Sequence, residues 1–254
     1  TNRTRSADYE DAITSRTAAI LRVHTSNYRV SGFTESVSLT DMEAVARRHD
    51  VLLIDDLGSG AAEPMADEPT VAESLRLSDV VTFSGDKLFG GPQAGFVVGR
   101  GELLSRLAAH PVARVVRPGK LTLAALAATL SAWKREKWRE FPVYRAAAQS
   151  LEELERRAES IRAALATSAP GLRLDVVPSF ALFGGGTSPE KKFPSRALAL
   201  AHPALAPEAL LARLRESEPA VVARIEDDRV LLDMRSILPE EDTAVAAALV
   251  SLAR

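Results

Sequence analysis

Short apolar runs alternate with helical patterns along the first hundred residues of the chain. The runs show little internal alternation of polar residues, which is typical of strands buried on both faces of a parallel sheet. Thr40 followed by Glu43 has the capping-box spacing that marks a helix start. The predicted strands are 19–23, 51–54, 80–83 and 96–98, and the predicted helices are 7–18, 38–50 and 71–77. This order predicts an open α/β sheet, mostly parallel, with its functional site at the carboxyl ends of the strands.

The pattern changes near residue 121, where Ala/Leu-rich and charged helical stretches replace the alternation of strand and helix. Helical patterns at 121–133 and 146–166 predict long connecting helices. Short apolar runs and two more helical stretches follow, and together they predict a smaller α+β domain. The runs are 172–177, 197–200, 221–225 and 230–234, and the helical stretches are 207–214 and 241–252. We therefore divide the chain into part of a larger domain at 1–125, and connecting helices with a small domain at 126–254.

The composition excludes several classes of protein and several kinds of site. With 254 residues, 46% of them hydrophobic, the chain is long enough to bury a sizeable core, which excludes disorder as its main state. Because cysteine is absent, disulfides, thiolate metal sites and a cysteine nucleophile are excluded, and we predict no metal site. No apolar run approaches the length of a membrane span and no signal-peptide pattern is present, which predicts a cytoplasmic protein with no membrane association. The chain begins with Thr1 rather than Met, so we expect a fragment.

Charge is balanced over the whole chain but unevenly placed along it. The net charge of -2 gives no overall polycationic signature for nucleic acid. Residues 35–79 contain 11 acidic and 3 basic residues, whereas residues 100–145 contain 10 basic and 3 acidic residues. The basic segment is either an ordinary helix surface or a local anion-binding face.

The most informative segment is SGDKLFGGPQAG at residues 84–95. In it, Lys87 follows a predicted buried strand and precedes a glycine-rich turn. A surface lysine in a tight loop is the simpler interpretation, but solubility explains this position poorly because desolvating an ammonium group is costly. The functional interpretation is a lysine that forms a Schiff base with an aldehyde.

Pyridoxal phosphate is the cofactor that uses such a lysine, and it also needs an anion for its pyridinium nitrogen and a cradle for its phosphate. Asp55 and Asp56 end a preceding strand, where either carboxylate could pair with the ring nitrogen. Ser84 could donate its hydroxyl to the phosphate, and Asn27, at another strand exit, could donate to the phenolate oxygen. Each feature is weak alone, but together and in strand order they predict a pyridoxal-phosphate site.

At these residues the sequence resembles bacterial selenocysteine synthase, the L-seryl-tRNA(Sec) selenium transferase family of fold-type I pyridoxal-phosphate enzymes. The resemblance extends over essentially the whole chain, and the block at 84–95 is its most specific part. The similar segments, in the family's order, are 1–5, 23–28, 32–35, 56–60, 84–95, His110-Pro111 with Arg114 and Arg117, 184–186, 194–195, 224–227 and 232–235.

The resemblance implies roles for individual residues. It implies that Lys87 binds the cofactor and that Asp56, rather than Asp55, is the pyridinium partner. It also implies that Asp86 is an acid beside the reacting centre. Arg114 and Arg117 match arginines that the family uses for anions, and bidentate guanidinium groups suit the oxygens of selenophosphate. For these two arginines a basic loop after a helix is the alternative.

The implied reaction is a β-replacement that converts seryl-tRNA(Sec) into selenocysteinyl-tRNA(Sec) with selenophosphate. The implied assembly is a homo-oligomer. The regions that hold much of the cofactor phosphate and recognise tRNA come earlier in the family than this chain begins, so we expect weak or absent cofactor binding by the chain alone. One alternative is a related enzyme that eliminates a group from a small free amino acid or amino-sugar acid. Another is a non-catalytic relative that serves as a binding module.

Overall fold

The computed structural model describes residues 2–28, 30–65, 67–184, 187–188 and 191–252. The chain forms two compact units. One comprises Thr1–Lys137 together with Phe183–Lys191, and the other comprises Trp138–Leu182 together with Lys192–Arg254. Among the described residues, no helix has the length and apolar character needed to cross a membrane.

The first unit is built on a four-stranded sheet in the order β1-β2-β3-β4. Its strands are β1 (Ala19–Val23), β2 (Leu52–Gly58), β3 (Val80–Ser84) and β4 (Gly95–Gly99). The first three strands are parallel, whereas β4 runs antiparallel to β3. A short loop without a helix joins β3 to β4, and such a loop can only return the chain antiparallel. The mostly parallel sheet predicted from the sequence is confirmed.

In the described part of the first unit, the α-helices that accompany this sheet are α1 (Ser6–Ala12), α2 (Leu39–Arg48), α3 (Val71–Leu77), α4 (Gly101–Ala109), α5 (Pro111–Val115) and α6 (Lys120–Lys134). Apolar side chains of α2, including Met42 and Val45, cover Ile20 and Leu53 on one face of the sheet. Two sequence predictions about helix ends were wrong. The helix predicted at 7–18 ends at Ala12. The helix predicted to be capped by Thr40 is capped by Ser38, whose Oγ accepts a hydrogen bond from the backbone N–H of Asp41 at 3.1 Å.

The second unit has an antiparallel sheet in the order β5-β6-β8-β7, as expected for an α+β domain. Its elements are α7 (Pro142–Ala148), α8 (Leu151–Ser168), β5 (Arg173–Ala181), β6 (Phe193–Ala201), α9 (Pro207–Glu216), β7 (Arg224–Glu226), β8 (Arg229–Asp233) and α10 (Asp242–Leu252). Leucines from three helices and two strands form its core, among them Leu154, Leu198, Leu214, Leu232 and Leu249. Burial of these side chains supplies the main stabilisation of this unit.

Candidate functional site

Lys87 lies in the turn that joins β3 to β4, and backbone hydrogen bonds hold this turn in place. The N–H of Gly85 donates to the carbonyl of Ala94 at 2.8 Å, which closes the base of the turn. The N–H of Leu88 donates to the carbonyl of Ser59 at 3.0 Å, which ties the turn to the end of β2. Leu88 itself is buried. Lys87 is therefore a half-buried residue on a loop that is anchored on both sides.

The amine of Lys87 faces a space kept open by a glycine. Gly58, the last residue of β2, has a φ of +67°, and a Cβ built on it would lie 3.8 Å from Lys87 Nζ and 2.9 Å from Ser26 Oγ. A side chain here would be strained by the backbone conformation and would fill this space. Within the described part of the chain, no acidic side chain forms an ion pair with Lys87. The amine is therefore available to a ligand.

The two carboxylates at the end of β2 have different surroundings. Asp55 is 0% exposed and accepts two hydrogen bonds from Arg22 Nη1, at 3.0 and 3.1 Å, and another from Ser74 Oγ. Asp56 is half-buried and accepts one hydrogen bond, at 2.8 Å, from Thr82 Oγ1. Successive residues of a strand point to opposite faces of its sheet, so the two carboxylates point in opposite directions. Asp55 is committed to an internal ion pair, whereas Asp56 retains an oxygen for a ligand.

The end of β2 is irregular next to Asp56. The register with β3 shifts between Asp56 and Gly58, as in a β-bulge. On the other side, the N–H of His24 donates to the carbonyl of Asp56 at 2.8 Å. Bulges redirect side chains and are common beside active sites. This irregularity brings Gly58 toward the lysine loop, two residues after Asp56.

The other predicted cofactor residues also lie at strand ends. Ser84 is the last residue of β3, half-buried and paired with Gly95. Asn27 is exposed in the turn after β1, next to buried Ser26. Asp86 is exposed on the lysine loop. In the described residues, no hydrogen bond or ion pair engages the side chain of Asn27 or Asp86. The residues predicted to bind the cofactor thus lie at or just beyond the carboxyl ends of β1, β2 and β3.

Arg114 and Arg117 lie at the end of α5 and just beyond it, and both are exposed. The sequence did not predict α4 or α5. In the structure Arg114 lies in α5, so the alternative of a basic loop does not apply to it. Neither guanidinium group pairs with an acid among the residues that the structure describes. Their donors are therefore free to bind an anion. Gly185 and Gly186 of the glycine-rich segment at 184–186 lie outside the described residues.

A buried acid that the sequence analysis missed lies at the same edge of the sheet. Glu68 is only 8% exposed, and its Oε1 accepts hydrogen bonds from Ser188 N at 3.2 Å and Ser188 Oγ at 2.9 Å. Its Oε2 is 3.3 Å from His24 Nε2. Burial by itself raises the pKa of this carboxyl, but hydrogen bonds with His24 and Ser188 outweigh burial and lower the pKa from 4.5. No local sequence signal marks Glu68, because its partners come from distant segments.

The ring of His24 lies between a guanidinium group and a carboxylate. His24 Nδ1 is 3.5 Å from Arg22 Nη2, and a guanidinium group offers only donors. On the other side of the ring, His24 Nε2 faces Glu68 Oε2. The sequence left open whether this histidine approaches a cofactor. In the structure its side chain bridges the Arg22–Asp55 pair and Glu68, which is an orienting role.

The described residues fit pyridoxal phosphate. A half-buried amine faces the space beside Gly58, and a carboxylate with an uncommitted oxygen lies two residues earlier on the same strand. The planar ring requires such an opening, and the pyridinium nitrogen requires such an acceptor. Thr82 and Gly58 are functional candidates that the sequence analysis did not single out. For Gly58, the Gly-Ser-Gly stretch after the strand was the available signal.

Comparison with solved structures finds the same fold in D-glucosaminate-6-phosphate ammonia-lyase. The TM-score is 0.62 at 22% sequence identity, and the match covers 99% of this chain and 62% of that chain. At this identity the similarity shows the fold alone. The predicted fold, that of fold-type I pyridoxal-phosphate enzymes, is confirmed.

Sequence comparison identifies the family. The profile of the L-seryl-tRNA selenium transferase family matches residues 1–238. The L-seryl-tRNA(Sec) selenium transferases of Hyphomonas neptunium and Moorella thermoacetica are 41% identical over 246 residues and 42% identical over 260 residues. These alignments cover 94% and 98% of this chain but 53% and 55% of the relatives, so the chain spans about half the length of the curated relatives it matches. Because these matches extend over nearly all of its sequence, the chain belongs to the L-seryl-tRNA selenium transferase family.

Proposed function

We propose that the protein containing this chain converts seryl-tRNA(Sec) into selenocysteinyl-tRNA(Sec), replacing the seryl hydroxyl with selenium supplied by selenophosphate. Relatives at 41% and 42% identity that carry this activity in their names support the proposal. The structural observation that supports it best is the position of Lys87 Nζ beside Gly58, two residues beyond Asp56. Pyridoxal phosphate is the cofactor of this family.

The proposed cofactor contacts use residues at three strand ends. Lys87 holds the cofactor through its amine, and Asp56 accepts a hydrogen bond from the protonated pyridinium nitrogen. Ser84 donates its hydroxyl to the phosphate, and Asn27 donates to the phenolate oxygen. When bound, pyridoxal phosphate supplies an electron sink for the negative charge left at the substrate α-carbon.

The remaining roles concern proton transfer and anion binding. Lys87 takes the proton from the α-carbon of the seryl group, and Asp86 gives a proton to the hydroxyl that leaves Cβ. The exposure of Asp86 allows a bulky substrate to reach it. Arg114 and Arg117 bind the selenophosphate oxygens, for which paired guanidinium donors are suited.

Several broader assignments belong to the same proposal. The protein acts in the cytoplasm and assembles as a homo-oligomer. The division into 1–125 and 126–254 remains our proposal for the domains. The alternative, elimination from a small free amino acid or amino-sugar acid, is supported only by a shared fold, whereas the selenium-transfer assignment is supported by relatives with much higher identity.

Borohydride reduction of the intact protein, followed by peptide mapping, tests the cofactor assignment. We expect a pyridoxyl group on Lys87 and on no other lysine. A protein that forms selenocysteinyl-tRNA(Sec) but carries the group elsewhere would contradict the role of Lys87.

The substrate is tested separately with the cofactor-loaded protein. We expect selenocysteinyl-tRNA(Sec) from seryl-tRNA(Sec) and selenophosphate, with tRNA affinity that falls steeply as salt rises. Turnover of a free amino acid that is insensitive to salt, with no product from seryl-tRNA(Sec), would favour the elimination enzyme instead.

A further inference from the structure

Thr82 lies on β3 directly opposite Asp56 on β2, and its hydroxyl is the described hydrogen-bond partner of that carboxylate. We propose that Thr82 is a positioning residue, which holds the Asp56 carboxylate so that its second oxygen faces the cofactor's pyridinium nitrogen. This inference rests on the proposed function, since it assigns Asp56 to that nitrogen. Thr82 itself acts through Asp56.

The geometry leaves one oxygen of Asp56 engaged and the other available. Thr82 Oγ1 is 2.8 Å from Asp56 Oδ1, the distance of a well-formed hydrogen bond, and a hydroxyl beside a carboxylate must be the donor. Among the described residues, no other side chain hydrogen-bonds to Asp56. With Oδ1 held, rotation of the carboxylate about its terminal torsion is restricted, and Oδ2 keeps a defined direction.

The local backbone explains why this carboxylate needs such a bond. The ladder between β2 and β3 shifts register between Asp56 and Gly58, so regular strand pairing ends at this residue. Asp55, one residue earlier, is oriented by an arginine and a serine, whereas among the described side chains only the threonine hydroxyl donates to Asp56. Threonine is also stiff about χ1 because it is β-branched, which makes it a more rigid donor than serine.

The test uses the intact protein loaded with pyridoxal phosphate and compares T82V, T82S and a control. Valine keeps the shape of threonine but removes the hydroxyl, so we expect T82V to bind pyridoxal phosphate about tenfold more weakly. We also expect a changed pH dependence of the cofactor's absorption band, because the pyridinium nitrogen loses an aligned acceptor. T82S retains the donor and is expected to restore both properties. T167V, at an exposed position on α8, is the control for a threonine-to-valine change.

A double-mutant cycle with D56N separates positioning from a general loss of packing. The neutral amide of asparagine lacks the negative charge that stabilises the protonated pyridinium nitrogen, so T82V should cause no further loss of cofactor affinity in the D56N background. An additional loss there would show that Thr82 acts independently of Asp56 and would overturn the inference.

The remaining outcomes separate this inference from the function on which it rests. If the wild-type protein binds the cofactor and T82V binds it equally well with an unchanged spectrum, the role of Thr82 is overturned. The proposed function then remains intact. Wild-type protein that binds no pyridoxal phosphate overturns both. Far-UV circular dichroism of each variant confirms that the comparison is made between folded proteins.

Discussion

Arg22 on β1 and Asp55 on β2 are paired positions in the parallel ladder, and their side chains form a partly buried ion pair at 3.0 Å. Ser74 on α3 completes the hydrogen bonding of this carboxylate. The pair therefore joins two strands and a helix behind the site. Its neighbour Asp56 faces the opposite way, and among the described side chains only Thr82 donates a hydrogen bond to it. The two adjacent aspartates thus differ in their surroundings, because Asp55 is hydrogen-bonded through both oxygens and Asp56 through one.

This difference predicts opposite effects for two substitutions. D55N leaves the partly buried Arg22 without its anionic partner, and we expect it to lower the free energy of unfolding by about 2 kcal/mol. D56N removes an acceptor at a half-buried position, and we expect near-normal stability but much weaker cofactor binding. Denaturant unfolding and cofactor titration of both variants measure the two effects. If D56N proves the more destabilising and D55N the weaker cofactor binder, the assignment is reversed.

A second prediction concerns the space at Gly58. Replacing it with alanine places a Cβ 2.9 Å from Ser26 Oγ at a φ of +67°, where a non-glycine residue costs about 1–2 kcal/mol. We expect G58A to be less stable by this amount and to attach pyridoxal phosphate to Lys87 more slowly. G101A is the matched control, because a Cβ at Gly101 meets nothing within 4 Å. Equal attachment rates for G58A and the wild type would show that the opening is not used.

The third prediction follows from the lowered pKa of Glu68. Its pKa in the folded protein is below 4.5, so the unfolded chain binds its proton more readily as the solution becomes acidic. The stabilisation is complete at pH values above 4.5 and is lost as pH falls through the lowered pKa. We expect the difference in unfolding free energy between wild type and E68Q to be largest near neutral pH and to shrink below pH 4.5. A difference that stays constant with pH would show that hydrogen bonding to Glu68 does not depend on its charge.

The fourth prediction concerns the exposed arginines after α4. We expect R114A and R117A each to raise the KM for selenophosphate by about tenfold, because each removes charge-assisted hydrogen bonds to the anion. R106A is the control, since Arg106 is an exposed arginine on α4. Steady-state kinetics with varied selenophosphate measures the effect. An equal rise in R106A would indicate general electrostatic attraction rather than a binding site.

Much of the local structure could be predicted from the sequence. The predicted strand at 19–23 and the predicted helix at 71–77 have the bounds found for β1 and α3. Apolar periodicity and capping residues act over a few positions, so they are visible in a short window. By contrast, α4 and α5 were not predicted. The helix predicted to extend to residue 18 stops at Ala12, beyond which Thr14 and Thr17 form a turn.

The sequence by itself determined the family, the α/β fold and the lysine loop, because these depend on residue types at short, fixed spacings. The family resemblance favoured Asp56 over Asp55, but only the tertiary structure showed the different hydrogen-bond partners of the two carboxylates and revealed Glu68 and Thr82. The partners that separate the two aspartates, Arg22 and Ser74, lie 33 and 19 residues away from Asp55 along the chain. The direction of a side chain and the donors that meet it are set by strand register and helix packing, and contacts of this kind are formed only when distant segments come together.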